Sequence, residues 1–209
     1  MAERRGRGRP RDTDSDTSAA ISRAALQRFA AQGFEATTLR EIAGDAGVDV
    51  ALIAYRFGGK QGLWQDIVSQ AGADLREALE RAPNDGKEAS AQHRLNHSAR
   101  AFLAYLLGRP EMPRLLLRDI TIDSDRSQWL LETLSLPLHR HFIDLAQAAA
   151  KERGDAPAHL EFRVANFIYS AASTVARRER LGKLAGGMED DAQFAAALEE
   201  VLVEGALIP

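Results

Sequence analysis

The stretch from Thr38 to Gly59 limits what this chain can fold into more than any other, because two helix starts and two helix stops fall within it. Thr37 or Thr38 can serve as an N-cap, and Glu41, three residues beyond Thr38, completes the pattern of a capping box. Leu39, Ile42 and Ala43 then share the inward face of a short helix. Gly47 can take a positive φ without steric cost, Val48 plugs the turn, and Asp49 caps a second short helix carrying Leu52, Ile53 and Phe57. Gly58 and Gly59 end it. Helices this short have no stability alone and must cross. Small Ala43 suits the crossing point, and Ile42, Val48 and Ile53 fill the space beneath it. Residues 38–57 therefore fit a helix-turn-helix, a spacing that points to DNA and that a generic pair of short helices could also produce.

The charge distribution bears on that choice. Residues 1–65 hold 10 Lys and Arg against 8 Asp and Glu, a balance of +2, and residues 66–209 hold 17 against 22, a balance of −5. Arg4, Arg5, Arg7, Arg9 and Arg11 crowd the first eleven positions with only Glu3 against them. Such an arm is attracted to phosphate, or is simply a solvated tail. Its Gly6-Arg7-Gly8-Arg9-Pro10-Arg11 run resembles the R-G-R-P core of AT-hook peptides. Arg7 and Arg9 are then expected either in a narrow A·T-rich minor groove or on phosphate as a nonspecific tether.

Elsewhere the pattern is helical. Ile21, Ala24, Ala25 and Phe29 form a stripe over 17–33, stopped by Gly33. A long helix is expected from Lys60 to about Arg81, closed by Pro83-Asn84-Asp85-Gly86, followed by helices near 87–108, 111–123, 126–153, 156–183 and 189–206. Pro137 is expected to kink the helix at 126–153 rather than end it. The helix at 156–183 carries two apolar stripes. Leu160, Val164, Phe167, Ile168, Ala171 and Val175 form one, and Phe162, Ala165, Tyr169, Ala172 and Ala176 the other. Two stripes need two partners, either the chain's own core twice or that core and a second subunit across a two-fold axis.

Composition excludes several classes. With no Cys, disulfides, thiolate metal sites and cysteine nucleophiles are out. No apolar run approaches a membrane span and the Arg-rich start has no apolar signal segment, so a cytoplasmic protein with no membrane partner is expected. Phe57-Gly58-Gly59-Lys60 fails as a phosphate loop, since Ala54 and Gln61 stand where Gly and Ser or Thr are required. His93 and His97 at i and i+4 lack the glutamate of H-E-x-x-H, and no G-x-S-x-G elbow is present. No metal, no cofactor and no catalytic residue is expected, so the chain is read as no enzyme.

The run from Gly33 to Trp64, GFEATTLREIAGDAGVDVALIAYRFGGKQGLW, resembles the N-terminal DNA-binding domain of the tetracycline-repressor (TetR) family. That family's common form has GF or GY closing the first helix, T-x-R-x-I-A in the second, A-G-V before the third and Y-x-F-x-x-K-x-x-L after it. The resemblance implies an all-α chain with three parts: a basic flexible arm over 1–16, a three-helix helix-turn-helix domain over 17–65, and a helical ligand-binding and dimerisation domain over 66–209. It implies a homodimeric repressor that binds double-stranded operator DNA and is released by a small-molecule effector. An activator or a ligand-independent regulator of the same family is the alternative, and a helical partner-binding protein or enzyme a more distant one.

By position, the resemblance assigns Thr38 and Tyr55 to phosphate, Lys60 to the DNA backbone at the start of the fourth helix, and Arg40 to a base. Otherwise Arg40 forms a surface ion pair and Tyr55 packs in the core. Where the family often shows K-G-T-L-Y-H-H, this chain has Val50, Ala51, Leu52, Ile53, Ala54, Tyr55 and Arg56. That leaves Val50 and Ala51 to touch thymine methyls and gives DNA shape a larger part in specificity. This variant resembles a branch of the family linked to export of toxic small molecules. For the effector, apolar helices bearing isolated polar groups suggest Phe102, Tyr105, Arg118, Asp119 and Trp129, unless Arg118 and Asp119 pair with each other or with a neighbour.

Overall fold

The structure, a computed structural model, describes residues 12–81, 90–155 and 157–207, the side chains of residues 12–14 and 206 excepted. All regular elements among the described residues are helical. They are α1 (Asp12–Gln32), α2 (Leu39–Ala46), α3 (Val50–Phe57), α4 (Lys60–Glu80), α5 (Ala91–Leu107), α6 (Glu111–Asp119), α7 (Asp125–Leu130), α8 (Leu136–Arg153), α9 (Leu160–Ala176), α10 (Arg178–Gly182) and α11 (Asp191–Leu198). Two π-helical stretches, Leu131–Ser135 and Glu199–Leu207, adjoin α8 and α11. The chain divides into two compact units that part between Ile67 and Val68.

In the N-terminal unit α1 packs on α2 and α2 on α3. Its buried side chains include Ile21, Ala25 and Phe29 of α1, Ile42 and Ala43 of α2, Ile53 of α3, and Leu63 and Trp64 of α4. These are the stripes expected from helical spacing. α1 opens at Asp12, ahead of the expected Thr17, so residues 12–16 belong to a helix and not to a flexible arm. The sequence there, DTDSD, is acidic, which suits the positive end of a helix dipole.

In the C-terminal unit α5 lies against α8, α8 against α9, and α6 against α9. Their meeting point is a cluster of three rings. Phe102 and Phe142 stand 5.7 Å apart, Phe102 and Phe167 5.8 Å, and Phe142 and Phe167 5.5 Å, all steeply inclined as edge-to-face packing prefers. Ala99, Ala146, Ala149 and Ala171 are buried around them and let the helices approach closely.

Two expectations change here. The irregularity assigned to Pro137 sits just upstream, where Leu136 N donates to Leu131 O in a π turn. Pro137 has no N–H, and its ring crowds the carbonyl four residues back, so the turn before it widens. Second, the helix expected over 156–183 is α9 and α10, broken at Arg177. Of its two stripes, the one through Val164, Phe167 and Ala171 is buried in the unit's own core. The other is outermost, with Phe162 73% exposed and Tyr169 42% exposed.

A buried polar link ties α5 to α8, where Ser98 Oγ and His141 Nε2 are 2.7 Å apart. Burial pushes the His141 pKa below its ordinary 6.5, with Asp144 and Glu80 opposing the shift. The unfolded chain then takes up the proton first as pH falls, so stability present above about 6.5 declines between that pH and the lower folded value. Denaturant melts at pH 7.5 and 5.5 should show the wild type losing more stability than His141→Gln over that interval.

Candidate functional site

The geometry of the helix-turn-helix follows from its caps. Thr38 Oγ1 accepts from Glu41 N (3.3 Å), and Glu41 Oε2 accepts from Thr38 N (2.8 Å), the reciprocal capping box. At the far end Gly47 sits at φ 67°; its N–H donates to Gly44 O and Val48 N donates to Ala43 O (3.0 Å), a Schellman closure. Asp49 Oδ1 accepts from Ala51 N (2.7 Å) and starts α3. The chain thus reverses within residues 47–49, and the first turn of α3 faces outward.

Its exposed face is apolar with one aromatic exception. Val50 is 41% exposed, Ala51 and Ala54 are exposed, and Tyr55 is 88% exposed. That exposure rules out a core role for Tyr55. Arg56, the next residue, is turned to α1, where its Nη1 donates to Ser18 Oγ (2.5 Å). Leu52 is half-buried and Ile53 fully buried.

Beside this face Thr38 and Arg40 are both exposed at the N-terminus of α2. The Thr38 hydroxyl is already engaged, donating to Glu41 Oε2 (2.8 Å). The groups open to a phosphate are then the amides of Leu39 and Arg40, which helix geometry leaves without intrahelical partners. Arg40 makes no ion pair among the described residues. The acids of α2 that could have paired with it are held elsewhere. Arg28 of α1 grips Asp45 through Nε (2.6 Å) and Nη2 (2.9 Å) and reaches Glu41 through Nη1 (3.2 Å). The Asp45 pKa is lowered by its hydrogen bond to Arg28, and that of Glu41 chiefly by the Thr38 amide. This clamp neutralises α2's acids and leaves Arg40 as a cation facing outward.

Lys60 is half-buried at the start of α4. Its Nζ donates to the carbonyls of Phe34 (2.8 Å), Thr37 (2.9 Å) and Glu35 (3.4 Å), and stands 4.4 Å from the centre of the Phe34 ring. Through these bonds the Lys60 ammonium holds the 34–37 turn in place. Arg7 and Arg9 lie outside the described residues.

Two features escaped sequence reasoning. The Arg28 clamp spans 17 residues and leaves no local pattern. Gly62 did leave a signal, a glycine inside a helical run. A Cβ there would overlap the Phe57 carbonyl oxygen, so α4 can begin against the end of α3 only with glycine at this position.

The C-terminal unit holds a cavity of about 80 Å³. Phe102 and Tyr105 line it; Arg118, Asp119 and Trp129 do not. Arg118 is exposed, and Asp119 is buried in a pair with Arg126, its Oδ1 accepting from Nε (3.0 Å) and Nη2 (2.9 Å). The polar groups in the wall are instead Tyr105, Ser135, His139 and Tyr169. Tyr105 donates to Ala71 O (2.8 Å), and burial pushes its pKa up to about 12.

A capped helix-turn-helix with an outward, solvent-facing second helix defines the class of DNA-binding helical proteins. The comparisons narrow this. Residues 21–72 match the family described as bacterial regulatory proteins, tetR family. A probable HTH-type transcriptional regulator, YttP of Bacillus subtilis (strain 168), is 31% identical over 133 residues, which are 64% of this chain and 64% of that relative's length. A bacterial regulatory protein in the tetR family from Rhodococcus RHA1 superposes with a TM-score of 0.73 at 21% identity, covering 91% of this chain and 96% of that one. A putative fatty acid metabolism regulator from Clostridium perfringens gives 0.72 at 16% identity, covering 91% and 100%. Residues 21–72 thus carry the segment characteristic of the tetR family, and the chain as a whole has the fold of the solved regulators it superposes on.

Two substitutions test the local geometry. Gly62→Ala should cost about 2 to 3 kcal/mol of the N-terminal unit's stability, since backbone must move to relieve the overlap. Lys60→Met keeps the stem and deletes the ammonium, and should destabilise by about 2 kcal/mol. Urea melts followed by tryptophan fluorescence of buried Trp64 would read both.

Proposed function

We propose that this protein is a homodimeric transcriptional repressor that binds double-stranded operator DNA and leaves it when a small molecule occupies the C-terminal unit. The observation that carries the reading is the outward surface formed by the first turn of α2 and the exposed face of α3. There Arg40, Val50, Ala51 and Tyr55 are exposed, with the neighbouring acids tied to Arg28. On DNA, α3 enters the major groove, Val50 and Ala51 meet thymine methyls, Arg40 hydrogen-bonds a base edge, and Tyr55 with the N-terminus of α2 engages phosphate. The arm with Arg7 and Arg9 adds an electrostatic contact, in the minor groove or on phosphate. Lys60 acts by holding the turn that sets α2.

Dimerisation is assigned to α8 and α9, supported by the unpartnered apolar stripe bearing Phe162 and Tyr169. Two-fold symmetry then requires two operator half-sites. Effector response is supported by the cavity, whose wall includes Ala71 and Leu75 of α4, the helix that opens with Lys60. Cytoplasmic location is part of the same reading.

A gel shift with the DNA flanking the protein's own gene should give a discrete, salt-tolerant complex; only salt-labile smearing would favour a different class of protein. On the selected site, Tyr55→Phe should weaken binding to all sequences alike, whereas Arg40→Ala should relax preference at one base pair per half-site, about tenfold in affinity. Uniform loss in Arg40→Ala with an unchanged sequence preference would remove Arg40 from base readout. Light scattering should show a dimer for the wild type and a monomer for Tyr169→Glu.

A further inference from the structure

We propose that the cavity of the C-terminal unit takes a small, uncharged, largely hydrocarbon molecule bearing one hydrogen-bond donor, a phenol or an alcohol rather than a carboxylate or an ammonium. The inference deepens the ligand-responsive reading above and rests on it.

The wall sets the charge. It is built from Leu116, Leu117, Ile120, Leu130, Leu134 and Ile168 with other apolar groups, and no Asp, Glu, Lys or Arg is among its described residues. An ionised ligand buried there would lose its hydration with no counterion, a far larger cost than any contact with this wall returns. The buried ion pair of Arg126 with Asp119 lies outside the wall.

The polar corner sets the donor. His139 Nδ1 is 2.7 Å from the carbonyl oxygen of Ser135. A carbonyl oxygen only accepts, so Nδ1 carries the hydrogen, and in the neutral ring Nε2 is left with its lone pair. The ring is also fixed by Tyr169, whose centroid is 5.7 Å away at an inclination of 52°. Tyr105, another polar group in the wall, commits its hydroxyl hydrogen to Ala71 O, which leaves that oxygen able only to accept. The hydroxyls of Ser135 and Tyr169 can rotate to suit a donor or an acceptor. His139, with its tautomer fixed, cannot, and it therefore selects a ligand that donates.

Volume sets the size. A dry apolar cavity of roughly 150 Å³ holds benzene. At about 80 Å³ this one fits a single ring after a small outward shift of its wall, which includes flexible Met112 and the end of the π turn at Ser135. A larger chamber of about 260 Å³ adjoins it across Leu75, Leu134 and Leu138. That chamber carries Arg76 and Glu80, and its imidazole, His141, already has Nε2 engaged with Ser98. It presents no fixed acceptor of the kind His139 provides.

The test uses the full-length protein at pH 8. Phenol, toluene, benzoate and benzylammonium, all of single-ring size, are titrated by calorimetry and by thermal shift. Phenol should bind about tenfold more tightly than toluene, as one added hydrogen bond allows, and the two ions should give no shift. His139→Phe, which keeps an aromatic ring against Tyr169, should reduce phenol to the affinity of toluene while toluene itself still binds. Benzoate or benzylammonium matching phenol, or phenol no better than toluene in the wild type, would overturn the proposal without recourse to the variant. A gel shift in the same phenol series separates the two readings. Phenol binding with the stated preference while the DNA complex persists would sink effector control and leave the ligand class standing. A discrete DNA complex in a protein that ignores phenol would do the reverse.

Discussion

One ammonium group fixes where the DNA-facing helices begin. The link from α1 to α2 is an irregular turn whose carbonyls have no ladder to join. Lys60 satisfies those of Phe34 and Thr37 at close range and touches that of Glu35. Hydrogen bonds to a charged donor contribute roughly 1.5 to 3 kcal/mol each, against about 1 for neutral pairs, so this cation outweighs any other single contact to the turn. Thr37, fully buried, adds a neutral bond from its hydroxyl to Gly33 O (2.7 Å). With residue 37 held, Thr38 is placed to cap α2, and each later step from Gly47 to Asp49 inherits that position.

The same surface shows how little direct readout an apolar second helix can offer. Methyl groups at Val50, Ala51 and Ala54 can distinguish thymine from cytosine but make no hydrogen bond to any base. With residues 1–65 carrying a balance of only +2, general attraction to phosphate is modest as well. In the proposed reading, discrimination draws on Arg40, on DNA shape, and on the pairing of two half-sites. The Arg28 clamp matters for this reason: it removes two carboxylates from a surface that has little positive charge to spare.

How far the sequence revealed this depends on the range of each interaction. Capping boxes, left-handed glycines and helical stripes are local, so Thr38 with Glu41, Gly47, Asp49 and the buried line through Ile21, Ile42 and Ile53 were all legible from spacing. The partner of a side chain across the fold was not. Lys60 and Arg28 are both anchors, one on carbonyls 23 to 26 residues away and one on acids 13 and 17 residues away. The cavity failed for a related reason. Arg118 and Asp119 stood out because they interrupt a leucine run, but helical rotation turns the one to solvent and the other to Arg126. His139 and His141, two residues apart, cannot share a helix face. That geometric fact is correct: His139 lines the small cavity while His141 is bonded to Ser98.

Tyr169 joins two parts of the proposed mechanism. It lies on the stripe of α9 left uncovered by the unit's own core, and its ring also lines the cavity and leans on His139. In a homodimer built on that stripe, a subunit and a ligand would press on one aromatic ring from different sides. His139 in turn is bonded to the last carbonyl of the π turn, a segment whose hydrogen bonds are already displaced from α-helical register by Pro137. In the proposed mechanism, a ligand that draws on His139 Nε2 would therefore act on this π-helical stretch and on the proposed subunit interface through adjacent atoms. Movement of a remote segment is not needed for the ligand to be felt at the interface.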